Sequence, residues 1–148
     1  MHYWNWKAAL LSAVSRGLLF FAVNLGAGLL VALAVFSTEF CLRVVMAGFT
    51  GSILQAIRFG KSSGIAIFVI PALSHSVEWF VHRSAGTPQL GASIVVSVLF
   101  SILSITFHLH AMRSGAFVVG KGSKSFRHDV SQLPGLLISF ARGEWLRA

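Results

Sequence analysis

Uncharged apolar stretches alternate along the chain with small groups of charged residues, and the stretches have the length of membrane spans. The first runs from Gly17 to Thr38, 22 residues without a charge. The second, Val44 to Ile57, has 14; the third, Ser62 to Val77, has 16; the fourth, Ser84 to Met112, has 29. An α-helix rises ~1.5 Å per residue, so about 20 residues cross ~30 Å of hydrocarbon. The first and fourth stretches reach that length unaided. The second reaches it when its helix starts near Glu39 and carries Arg43, and the third when it continues through Glu78 to His82. The pattern predicts four transmembrane helices near residues 17–38, 40–58, 63–83 and 88–112, joined by short loops. A re-entrant second segment is the alternative, and it would place the two chain ends on opposite faces.

The flanks read as interfacial. Residues 1–16 carry Tyr3, Trp4 and Trp6 beside Lys7, rings and charge suited to the headgroup region. Residues 17–112 hold the four-helix bundle. Residues 113–148 form a basic cytoplasmic tail, in which Leu133, Leu136, Leu137 and Phe140 fall at helical spacing near Arg142 and Trp145. Pro134 suits the first turn of such a helix. This amphipathic helix lies on the inner leaflet in one reading and docks on the bundle in the other.

Composition narrows the class. Hydrophobic residues make up 55% and charged ones 11%, with a mean hydropathy of +0.78. A small fold leaves much of its surface exposed, so this much apolar surface cannot be hidden from water. A soluble enzyme, a disordered tail and a disulfide scaffold are excluded, which leaves an all-α integral membrane protein whose first partner is the lipid bilayer. Its 12 basic residues against 4 acidic ones give a net charge of +8. With the N-terminus inside, Lys7, Arg16, Arg58, Lys61, Arg113, Lys121, Lys124, Arg127, Arg142 and Arg147 are cytoplasmic, and only Arg43 and Arg83 are outside. That bias predicts both termini inside a cytoplasmic membrane of bacterial type. No nucleic-acid recognition motif accompanies the charge. Cys41 is the single cysteine, so no intrachain disulfide forms. The stretch after Arg16 is longer than the ~7–15 residues of a signal h-region, and no cleavable signal is expected.

His75, Glu78 and His82 form the sharpest cluster, at i, i+3 and i+7 on one helix face. Measured from Gly64, His75 lies ~16 Å and Glu78 ~21 Å up the third helix, within the outer half of the membrane. A charge at such depth ordinarily faces protein or a wet cavity and marks a functional site. Arg43, at the outer end of the second predicted helix, and Glu39, at the end of the first, are its expected partners. The five residues suit an ion or proton relay, or a structural polar cluster. His75 and His82 stand ~10.5 Å apart along the axis, too far to share a metal directly. His75 with Glu78, or Glu78 with His82, would need further donors.

On the fourth helix Ser93, Ser97, Ser101, Ser104 and His108 recur every three or four residues, either a hydrated path or a seam for close helix approach. Gly26, Gly28, Gly48 and Gly51 suggest the same close approach, with Asn24 and Thr50 able to bond between helices. Haem held by facing histidines is weakened by a height mismatch of ~8 Å between His75 and His108. His2, His110 and His128 read as ordinary interfacial or solvated residues. The stretch GAFVVGKG from Gly115 to Gly122 misses the phosphate-binding loop, because Gly122 replaces the required Ser or Thr, and it reads as a flexible turn.

No cofactor is expected. The leading expectation is a small non-enzymatic channel- or transporter-like unit, or an accessory subunit, working as a homo-oligomer or within a larger membrane complex. A membrane redox protein using haem or a metal ion, and a scaffolding subunit, are the alternatives.

Overall fold

The computed structural model describes residues 4–60 and 63–146, without the side chains of 63–67 and 146. The readings of His2, Tyr3, Lys61 and Arg147 lie outside the described residues. The fold is all-helical, with no strand among the described residues. Four long helices, α1 (Trp6–Asn24), α2 (Leu29–Ile57), α3 (Ser63–Ser84) and α4 (Leu90–Arg113), precede two short ones, α5 (Phe126–Ser131) and α6 (Leu133–Ala141). α1 with its 3-10 extension to Ala27, α2 and α4 are each long and apolar enough to cross a membrane. α3 is 22 residues long and carries Pro71 inside it.

The first two helices differ from the sequence expectation. The chain turns at Leu25–Gly28, where Gly28 has φ +106°, a backbone region that L side chains rarely adopt. A window drawn by charge alone runs straight through this turn, which is why 17–38 reads as one helix in the sequence. The helix instead starts at Trp6, capped by the Asn5 side chain accepting from Ala8 N–H at 3.0 Å. Residues 6–16 therefore belong to α1, Arg16 lies within it, and Glu39 and Arg43 lie within α2 rather than at helix ends.

α1 packs most extensively on α2. Close approach depends on glycine: a Cβ at Gly48 would fall 1.6 Å from Trp4 Nε1, and one at Gly51 2.6 Å from the Ala8 Cβ. Gly26 meets open space and Gly28 serves the turn, so only half of the expected glycine set packs helices together. The start of α1 and the segment that follows α4 gather at one end of the bundle. There Asn5 Nδ2 donates to Gln55 Oε1 and to Phe117 O, each at 2.9 Å, and Lys7 Nζ pairs with Asp129 Oδ2 at 2.6 Å. The 115–122 segment is accordingly a packed strap, with Ala116 and Phe117 fully buried, rather than an open turn. α6 docks on the bundle: Leu136 packs with Ala111, Ala116 and Phe117, while Ile138 stays exposed.

A buried charge network and its adjoining cavity

In a bundle this apolar, buried charged groups are stable only when paired and hydrogen-bonded. Arg43 is the hub. Its Nε donates to Glu39 Oε1, one turn back on α2, at 2.5 Å, and its two terminal nitrogens donate to Ser74 Oγ and Glu78 Oε2 on α3, each at 2.5 Å. The i, i+4 spacing of Glu39 and Arg43 sets the first contact, and the i, i+4 spacing of Ser74 and Glu78 sets the other two.

An imidazole flanks each carboxylate. His82 Nε2 lies 3.0 Å from Glu39 Oε2, and His82 Nδ1 lies 2.8 Å from Thr87 Oγ1. His75 Nδ1 lies 2.5 Å from Glu78 Oε2, and His75 Nε2 lies 2.7 Å from Ser101 Oγ on α4. Arg16 of α1 completes the set, donating to Ser97 and Ser101 of α4, with Nη1 3.9 Å from Glu78 Oε2. Glu78 Oε1 is buried without a well-formed hydrogen bond, with Ser97 beside the carboxylate. The result is one chain of contacts through all four long helices: Thr87, His82, Glu39, Arg43, Glu78, His75, Ser101, Arg16.

Local structure sets the depth. Gly86, with φ +69°, ends α3, and Thr87 N–H bonds back to His82 O at 3.0 Å. This turn places Thr87 beside the imidazole at the end of the bundle opposite the chain termini. At ~1.5 Å per residue, His82 lies ~3 Å and Glu78 ~9 Å inside the end of α3. Phe20 of α1 stacks on the His82 ring with centroids 4.5 Å apart and seals its flank.

On the other side of Arg43 lies a polar cavity of about 40 Å³. Arg16, Arg43, Thr50, Ser74, Ser101 and His108 supply much of its wall. A water needs at least ~10–15 Å³ of such volume, so the cavity has room for water. Toward the chain termini it meets an apolar layer of Ala8, Leu54, Leu109 and Met112.

All five residues expected from sequence as a cluster, His75, Glu78, His82, Glu39 and Arg43, are joined in the network. The serine row divides its contacts. Ser93 accepts from Asn24 Nδ2 at 3.0 Å, Ser97 and Ser101 accept from Arg16, and Ser104 and His108 line the cavity. Asn24 bonds to α4 rather than to Thr50. Sequence reasoning missed Arg16, Ser74 and Thr87. The Asn24–Gly28 turn, had it been weighted, would have put Arg16 two helical turns inside a span. Among the described residues no group of three or more His, Cys, Asp or Glu side chains is placed to hold a metal ion. Arg43 fills the space between the two carboxylates. Both ring nitrogens of His75 are engaged, which disfavours it as a haem ligand.

No protein-family model, curated protein or solved structure matches the chain. The functional reading rests on the chemistry of this network.

Proposed function

We propose that the chain is a four-span membrane protein with both ends cytoplasmic, and that it moves protons as a channel- or transporter-like unit. The observation that carries this reading is the pair of imidazole–carboxylate couples, His82–Glu39 and His75–Glu78, held on either side of Arg43 and next to a water-sized polar cavity. Each imidazole nitrogen sits 3.0 Å or less from its carboxylate oxygen, within reach of direct proton transfer.

The role of Arg43 follows from its chemistry. A guanidinium does not release its proton in a protein, so it interrupts the wire rather than carrying it. It is also the shared charge partner of both carboxylates. A proton reaching Glu39 through His82 neutralises one of its two partners, and Arg43 then commits to Glu78. The proton then passes from Glu39 to Glu78 around the guanidinium as Arg43 swings back to the ionised Glu39, and its departure from Glu78 through His75 and Ser101 toward the cavity restores the starting charge. Arg43 couples two half-sites that cannot both be protonated without releasing it.

The test is proton flux in proteoliposomes with an interior pH dye and an imposed potential. The wild-type chain should acidify the lumen, and Glu78→Gln should fall to the protein-free rate while remaining folded in detergent. Unchanged flux in Glu78→Gln sinks the relay. The charge-neutral pairing of two arginines with two glutamates favours a second reading, a purely structural clamp. It predicts no flux in the wild type and a large loss of thermal stability in the variant.

A further inference from the structure

We propose that the apolar cavity between α1, α4 and α6 binds an uncharged, lipid-soluble ring compound bearing a carbonyl or hydroxyl, the chemistry of a quinone or quinol. The cavity has a volume of about 420 Å³, which falls in the range of small-molecule sites. Phe100 and Phe107 of α4 and Phe140 of α6 line it. Phe107 and Phe140 meet edge to face with centroids 5.6 Å apart, and Phe140 is backed by Trp145 at 5.7 Å. Rings fixed in this way offer faces and edges on which a flat ring stacks. Among the described residues no Lys, Arg, Asp or Glu lines the cavity, so its wall offers a phosphate headgroup no counter-charge from them.

The polar corner decides the head of the ligand. Ser104 and His108, one turn apart on α4, line this cavity and also the polar one that holds Arg16 and Arg43. Ser15, the other hydroxyl on the wall, already donates to Ser12 O at 3.2 Å. His108 is 7% exposed, and its Nδ1 has no hydrogen-bond partner among the described residues. A buried ring nitrogen left unpaired is unfavourable, and a turn of the ring that brings Nδ1 to an oxygen-bearing head group in the cavity relieves that. The apolar body then lies on the three phenylalanines and under Leu137, and α6 forms the outer wall. The site stands independently of the proton reading and includes no electron transfer.

The experiment titrates the full chain in non-ionic detergent with decyl-benzoquinone, followed by tryptophan quenching and calorimetry. Saturable one-to-one binding is expected. His108→Leu should weaken it by about tenfold, the value of one hydrogen bond, with helical content unchanged. His108→Gln should recover most of that loss. Leu103→Trp, at a position facing away from the core on the rim, should block the site by filling it. Uptake that does not saturate, full affinity in His108→Leu or Leu103→Trp, or equally effective displacement by oleate overturns the proposal. Any of these outcomes would make the cavity a groove for bilayer chains.

Discussion

Arg43 shows how a buried charge can be both costly and indispensable. Replacing it with leucine leaves Glu39 and Glu78, both fully buried, without their shared cation. Breaking a buried pair from one side typically costs ~3–5 kcal/mol, because the orphaned charge stays desolvated. Arg43→Leu should therefore lower thermal stability in detergent by that order. Adding Glu39→Gln and Glu78→Gln should recover much of it, since no charge is then stranded. A triple variant no more stable than the single one would show that Arg43 acts by packing instead. The residues in this network were unequally legible. Glu78 stands out in sequence because a lone acid flanked by two histidines in an apolar stretch has no solvated explanation. Arg16 does not, because a basic residue at the edge of a charge-free window looks like a membrane flank.

The helices themselves were legible where apolar length is continuous, and illegible where backbone geometry alone decides. α4 falls close to its expected bounds because Gln89 and Arg113 bracket it. The α1–α2 boundary moved by more than ten residues because Gly28 turns the chain by conformation, with no charged residue to mark it. The same helices offer a contrast between glycines of similar appearance. At Gly51 a methyl group would approach the Ala8 Cβ to 2.6 Å, whereas at Gly26 it would meet nothing within 4 Å. Gly51→Ala should cost ~1–3 kcal/mol through overpacking, and Gly26→Ala should be near neutral. Thermal unfolding of the two variants side by side checks this. Equal effects would mean that α1 and α2 do not approach as closely as their glycines allow.

At the scale of the molecule, relocating the first turn changes what the basic residues say about topology. Arg16 and Arg43 drop out of the loop count because both are buried in the network. Lys7 drops out in the same way, buried on Asp129; Arg83 remains at the turn end, while Arg58, Arg113, Lys121, Lys124, Arg127 and Arg142 fall at or near the terminal end. The asymmetry sharpens even though the span boundaries shifted, since both removed arginines are held by side chains and not by headgroups. A positive terminal end should therefore face the cytoplasm. In a Cys41→Ser background, single cysteines at Lys121, Arg142 and Gly86 report the sidedness. The first two should react with an impermeant maleimide only from the cytoplasmic face, and the third only from the opposite face. Labelling of Gly86 and Lys121 from the same side would make α4 a non-spanning helix. The proton path would then begin and end on one face, and the network could serve only as a clamp.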